Sequence, residues 1–482
     1  MKRRQFNAYL AAGLVLSHLP SATRRLIAAS DPAAMKGGTG AGGPLFELGG
    51  ARHPHGQFTH VGLDEAGRLC LVKTDSRYAA DGRYTSPVFE VPESQPVVIH
   101  ARRRWTGPLR WERHQGNPVL SPSPEGWDQA QVTACSVVRV ADRYRLYYGS
   151  RGAGIGFAEA PVDEPHAWRK QERPCLTAGP PEAFDGKGVL SPEIVILDDG
   201  RWWMYYVGYH PEWEQNGTAV HQLGLAESTD GGITWNRISP QPLLARGPAG
   251  SYDGFAVSSN SVWTDGRDWL MWYTGIAQVP YLGSICLARS EDGRSWTRHE
   301  VNPVLPFNPH IAHEAFFVAK PHVVKDGNVF RMWYSAVGYG DDCTQPGQYR
   351  VCYAESADGV QWERCEVNPV LRPAEAGWDS QMTEYAEVLH VEHGWHMWYC
   401  GDGYGHIGYA RGYPVAAAEI RARTGSIREP DDSWTPWIEV DAAPGAAGFQ
   451  PTGAFMQIEV RLRTDDTAIS PRVDFLRVMR DA

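Results

Sequence analysis

A motif of about sixty residues recurs five times along the chain, and a period of that size commits the fold to a repeat architecture. The copies open at Asn117-Pro118-Val119-Leu120, Arg173-Pro174-Cys175-Leu176, Gln241-Pro242-Leu243-Leu244, Asn302-Pro303-Val304-Leu305 and Asn368-Pro369-Val370-Leu371. Each continues with an aromatic or His followed by an acid: Trp127-Asp128, Phe184-Asp185, Tyr252-Asp253, His313-Glu314 and Trp378-Asp379. A β-branched stretch follows, then a second strand (Tyr144–Tyr148, Trp203–Tyr206, Leu270–Tyr273, Arg331–Tyr334, His396–Tyr399) and a third (Ile155–Ala158, Leu223–Ala226, Ile285–Ala288, Val351–Ala354, Ile407–Ala410).

In copies two, three and four an Asp-Gly turn leads to a fourth strand holding Trp235, Trp296 or Trp362. Four strands per unit and five units predict a five-bladed β-propeller. The fifth copy ends at Gly412 without a fourth strand, while Leu109 to Arg113, ahead of the first copy, mirrors Gln361 to Arg364. The early segment is therefore expected to complete blade five and remove the sheet edges that invite aggregation.

Two segments flank the ring, 44–104 and 413–482, with the propeller assigned to 105–412. The second alternates apolar and polar residues at Ala418–Arg423, Trp434–Val440, Met456–Arg463 and Pro471–Val478, as half-solvated antiparallel strands do. The first offers Tyr84–Phe89 and Val97–Arg102. Neither has enough strands for two packed sheets, and together they do. The expected fold is all-β, a propeller inserted into a β-sandwich that both flanks build.

The N-terminus pairs Arg3-Arg4 with Phe6 and an apolar run from Ala8 to Leu19, the pattern of an export signal of twin-arginine type, too short to span a membrane. Residues 1–30 are read as that signal and 31–43 as a Gly/Ala linker, placing the mature chain in the periplasm or outside the cell without a membrane span. A net charge of −10 with no basic block argues against nucleic acid as a partner. The eight cysteines fall largely on strands, Cys286 and Cys352 where other blades carry Gly156, Gly224 and Gly408, so buried free thiols are expected, with Cys343 in a long loop the open case.

The repeat separates fold from site: a residue type found in every blade serves the fold, and one found in a single blade is free to serve a site. The entry acids, present in all five, are read first as ligands of backbone amides in the entry turn. Six to eight residues on, the blades diverge into Ala134-Cys135-Ser136, Ser191-Pro192-Glu193, Ser259-Asn260-Ser261, Lys320-Pro321-His322 and Tyr385-Ala386-Glu387, with Glu384 just before the last. Charges on an innermost strand are costly to bury unless paired or solvated in a funnel. A zinc set of His310, His313 and His322 near Glu314 is a weaker alternative, because its spacing falls in a loop.

The Asn-Pro-Val-Leu openings, the Met-Trp-Tyr strands and the Ala354-Glu355-Ser356, Asp358-Gly359, Trp362 hairpin resemble the five-bladed superfamily of glycoside hydrolase families 32, 43, 68 and 117, most closely its uncharacterised bacterial members with glycosyl-hydrolase-like repeats. The resemblance implies a glycan partner, an oligo- or polysaccharide. The superfamily's Asp-Pro signatures are absent from the aligned inner strands, and only Glu384 falls at the level of its acid, with Ala386 in place of Pro. The resulting expectation is a glycoside hydrolase with Glu384, Glu193 and Glu387 as catalytic candidates; the alternative is a non-catalytic glycan-binding propeller. Lys320, His322, Asn260, Tyr385, Asp128, Asp253 and Glu314 are the candidate substrate contacts. No cofactor or metal ligand set is assigned, although a structural cation in the funnel is compatible with these groups.

Overall fold

The computed structural model describes residues 44–48, 56–93, 95–106, 108–210, 220–278, 282–338, 349–391, 394–401, 405–442, 446 and 448–481. The export signal, the linker and Cys343 lie outside them. The described residues form strands and one 3-10 turn, Ala312–Glu314, and none of their helices is long and apolar enough to cross a membrane.

The five blades run as antiparallel meanders. Their innermost strands are Thr133–Val140, Gly188–Ile196, Ala256–Thr264, Phe317–Asp326 and Glu384–Val391. Outermost strands are only two or three residues long in blades one to four: Arg169–Lys170, Asn236–Arg237, Thr297–Arg298 and Trp362–Arg364. Blade five is closed by Pro108–Arg113 pairing with Ile407–Pro414, Trp111 opposite Gly412 and Arg113 opposite Ala410. The ring thus ends on a strand from before its own beginning.

The openings clip neighbouring blades together. The Leu of each forms a bridge to the third strand of the preceding blade: Leu176 to Ile155, Leu244 to Leu223, Leu305 to Ile285, Leu371 to Val351, and Leu120 to Ile407 across the closure. Where the opening begins with Asn, its amide completes the join at two points. Asn117 Oδ1 accepts from Tyr409 N–H at 2.8 Å while its Nδ2 donates to Tyr409 O at 3.0 Å, and Asn302 and Asn368 do the same with Leu287 and Tyr353. Between blades the contacts are aromatic, with Trp272, Trp333 and Trp398 fully buried. The Met-Trp-Tyr strands therefore serve packing.

Both flanks contribute to both sheets of the sandwich. In one sheet Arg472–Arg480 lies between Phe46–Leu48 and Leu69–Leu71 and also pairs with Val97–Arg104. In the other, Phe455–Thr464 joins Asp81–Thr85 and Phe89–Glu90 to Ala416–Gly425. A single core holds Leu48, Tyr84, Ile99, Ile420, Val460 and Leu476. The expected strand at Trp434–Val440 shrinks to Ile438–Glu439. Pro436 removes a ladder donor, and Trp434 turns inward to donate its indole N–H to Ile427 O.

Candidate functional site

Every innermost strand is broken at the same place. Pairing with the second strand slips between Thr133 and Ser136, Leu190 and Glu193, Ser258 and Asn260, Ala319 and His322, and Glu384 and Glu387. At each slip one residue has a left-handed backbone: Ala134, Ser191, Ser259, Lys320 and Tyr385, with φ between 28° and 54°. Such a bulge re-aims the side chains around it. Its freed amide is capped from the preceding blade in three cases, by Thr274 Oγ1 for Lys320, Ser335 Oγ for Tyr385 and Cys400 Sγ for Ala134.

Two residues past the left-handed position, the side chain crosses to the next blade. Ser136 Oγ accepts from Ile194 N–H at 3.2 Å, Glu193 Oε1 from Val262 N–H at 3.0 Å, Ser261 Oγ from Val323 N–H at 3.0 Å, and Glu387 Oε1 from Val137 N–H at 3.0 Å. His322 makes the remaining tie in reverse, its Nε2 donating to Val388 O at 2.8 Å. These five contacts form a hydrogen-bonded ring around the propeller axis. Glu193, His322 and Glu387 therefore each spend one polar atom holding blades together.

Their second polar atoms converge. His322 Nδ1 lies 2.9 Å from Glu387 Oε2, without hydrogen-bond alignment, and Lys320 Nζ lies 3.8 Å from the same oxygen. All four residues are at most 6% exposed. Burial and the neighbouring Glu387 push the Glu193 carboxyl up to about 7. Burial also opposes ionisation of Glu387, but His322 and Lys320 outweigh it and hold that carboxyl below its usual range. For His322, burial works against the charged ring and Glu387 overcomes it, leaving the pKa raised. The repeat concealed this grouping, since its members come from three blades.

Above the ring, at the level of the bulges, a cavity of ≈ 140 Å³ opens at the mouth of the propeller. Hydroxyls of Thr133, Ser191, Ser258, Ser259 and Thr274 line it, with the rings of Phe317, Tyr349 and Tyr385 and the polar groups of Gln131, Arg151 and His221. His221 is held to about 4 by burial and then by Arg151, so it is neutral at pH 7, and its Nδ1 contacts Ser258 Oγ at 3.1 Å. Of the sequence candidates only Tyr385 lines this cavity. Glu384 and Asn260 are buried with both side-chain polar atoms unpartnered, and burial raises Glu384 well above the ordinary carboxylate range.

The entry acids sit elsewhere: Asp128 Oδ1 accepts from Ser123 N–H at 3.3 Å, as expected of the entry turn, and all five acids have a second task. In each blade the acid accepts the phenol O–H of the second strand and pairs with a basic residue of the outer strand. Asp253 takes Tyr273 at 3.0 Å and Arg298 at 2.7 Å; Asp128 takes Tyr148 and Lys170, Asp185 takes Tyr206 and Arg237, and Glu314 takes Tyr334 and Arg364. Asp379 repeats the pattern with Tyr399 and, across the closure, Arg113. Burial alone would raise Asp128, but Lys170, Ser123 and Tyr148 together bring it below its usual value. Asp128, Asp253 and Glu314, read as substrate contacts, are thus committed to the fold. The same commitment of Glu314, with His322 at the axis, removes the zinc set based on His310 and His313. The missed signal was the basic residue two places after each outer Trp, as in Trp296-Thr297-Arg298.

Blades, closure and bulged funnel define a five-bladed propeller carried in a β-sandwich, and over about two thirds of the chain the fold is shared with solved glycoside hydrolases. No family model matches the chain. Two uncharacterized proteins from strains of Mycobacterium tuberculosis are each 29% identical over 250 residues, covering 49% of this chain and 74% of theirs. A glycosyl hydrolase from Bacteroides ovatus superposes with a TM-score of 0.50 at 15% identity, covering 66% of this chain and 96% of its own. A structure from the GH130 family, in which mannoside phosphorylases stand beside glycoside hydrolases that target β-1,2 mannosidic linkages in Candida mannan, superposes at 0.50 and 17% identity, covering 65% and 96%. At these identities the likeness is one of fold.

Proposed function

We propose that the protein binds a glycan at the mouth of the propeller and does not cleave it. One observation carries the reading: a hydroxyl-rich, ring-bearing cavity that contains no carboxyl group among the described residues. Sugar hydroxyls are matched by Ser, Thr, His and Arg groups, and sugar faces by the rings of Tyr349 and Tyr385. Glycosidic cleavage needs two carboxyl groups on one bond, one protonated and one ionised. Glu193 and Glu387 each have one oxygen tied into the inter-blade ring, and neither lines the cavity. The reading includes export directed by residues 1–30, which periplasmic fractionation tests.

Saturable binding to members of a panel of neutral and acidic oligosaccharides is the expected calorimetric result, with no release of reducing sugar. Tyr385→Ala should weaken binding at least about tenfold, the loss of one ring contact of roughly 1.4 kcal/mol. The backbone accepts the change, because Ala134 holds the equivalent position of blade one at φ 48°. Retained affinity in this variant would move the site away from the funnel.

One observation favours hydrolysis instead. Burial favours the protonated form of Glu384, the form a general acid requires, and the next residue, Tyr385, lines the cavity. Released product that falls by about two to four orders of magnitude in Glu384→Gln would establish that reading. The substitution also has a stability signature. The folded chain keeps the Glu384 proton at pH values where the unfolded chain, ionising near 4.5, has lost it. Stability is therefore full below 4.5 and declines as pH rises towards the raised folded value. Glu384→Gln should raise Tm relative to the parent at pH 8 and leave it unchanged at pH 4. Equal shifts at both pH values would show that the carboxyl is not held protonated.

A further inference from the structure

We infer that the propeller axis carries a binding site for one divalent first-row transition ion, ligated by Glu193 Oε2, His322 Nδ1 and Glu387 Oε2. The three atoms lie within 4.8 Å of one another, the one such group of His, Cys, Asp or Glu among the described residues. Each belongs to a side chain whose other polar atom is fixed by the inter-blade ring, so the ligands are oriented before any ion arrives. Because Nε2 donates to Val388 O, Nδ1 is the ring atom that faces Glu387, and an ion bound there would take the place of the proton the ring holds against that carboxylate. A backbone carbonyl behind a ligating imidazole is the usual support of a metal-bound His.

Unmet hydrogen-bonding demand is the second, independent observation. Glu193 Oε2, His322 Nδ1, Glu387 Oε2 and Lys320 Nζ are all buried without a hydrogen-bond partner. Buried polar atoms in folded proteins are partnered in roughly nine cases of ten; here Glu193 Oε2 has no partner, and His322 Nδ1 and Glu387 Oε2 meet only as an ion pair out of hydrogen-bond alignment, which points to a missing group. Lys320 does not supply it, since its ammonium stops 3.8 Å from Glu387 Oε2. Ligands at about 2.1 Å on one ion lie about 3.0 Å apart at an octahedral right angle and about 3.4 Å apart at the tetrahedral angle of zinc, and His322 Nδ1 and Glu387 Oε2 are separated by 2.9 Å. One imidazole with two carboxylates suits Zn²⁺ or Mn²⁺ better than Ca²⁺, which takes six to eight oxygens. The ion would tie blades two, four and five across the axis.

Metal analysis of the full-length chain, purified without chelator, should find a single equivalent of transition metal. Chelation should lower Tm by about 5 °C or more, and Zn²⁺ or Mn²⁺ should restore it. Glu193→Gln and Glu387→Gln test the ligands without cutting the ring, because the new amide oxygen still accepts from Val262 or Val137 N–H. Both variants should lose stoichiometric metal and respond to chelator several-fold less. Parent protein that holds no metal and shows no Tm response to Zn²⁺ or Mn²⁺ would overturn the inference. A response to Ca²⁺ alone would overturn the ion class, and full metal content in both variants would place the ion elsewhere.

Discussion

Removal of residues 413–482 is expected to leave 44–104 unfolded while the ring of blades persists. The deletion takes away Arg472–Arg480, which pairs with Phe46–Leu48, Leu69–Leu71 and Val97–Arg104, and Phe455–Thr464, which pairs with Asp81–Thr85 and Phe89–Glu90. Among the described residues, what remains of 44–104 is three short pairings, Val61–Leu63 with Leu69–Leu71, Gln57–Thr59 with Asp81–Thr85 and Lys73–Thr74 with Arg77–Tyr78. Isolated hairpins of that size are marginal in water, and a segment of about sixty residues with half its core missing cannot offset the entropy of ordering it. The blades lose less. Glu363 and Glu366 forfeit Arg472, but Pro108–Arg113 keeps its ladder with the third strand of blade five as far as Gly412. Limited proteolysis read by mass spectrometry should cut within 57–104 in minutes and spare 108–410. Protection of 57–104 in the truncated chain would mean that the N-terminal flank folds alone.

Such a fold was legible because a repeat supplies its own comparison. The Trp111 and Trp362 segments match in sequence because they occupy the same outer position of neighbouring blades, and that likeness alone located the closure. What stayed hidden is of two kinds. The bulge at Ala134, Ser191, Ser259, Lys320 and Tyr385 has no residue signature: Ala, Ser, Lys and Tyr share no preference for a positive φ, and only tertiary pairing imposes it. The axis cluster was hidden by distance, with 129 residues separating Glu193 from His322 and 65 separating His322 from Glu387. Blade-to-blade divergence flagged all three, and read them as substrate contacts or catalysts. Their equivalence two places after the bulge shows instead that even blade-specific residues serve the ring with one atom and leave only the other for chemistry.

The entry acids allow a sharper test of that separation. Asp253→Ala leaves the Tyr273 phenol without its acceptor and Arg298 without its carboxylate in a position where the acid is 1% exposed. Breaking a buried pair by removing one partner costs roughly 3–5 kcal/mol. The Arg298 side chain is 30% exposed and also donates to Ala245 O, so part of its charge can turn to water and the lower end applies, about 3 kcal/mol. Asp253→Asn keeps an acceptor for Tyr273 and should cost about 1–2 kcal/mol. Asp185→Ala should match Asp253→Ala, because Tyr206 and Arg237 repeat the same geometry one blade earlier. Urea unfolding gives these values, and glycan affinity of the folded fraction should not move. A large loss of affinity with little loss of stability, in one blade and not in the other, would return Asp253 to the binding site, since a fold device must cost the same wherever the repeat installs it.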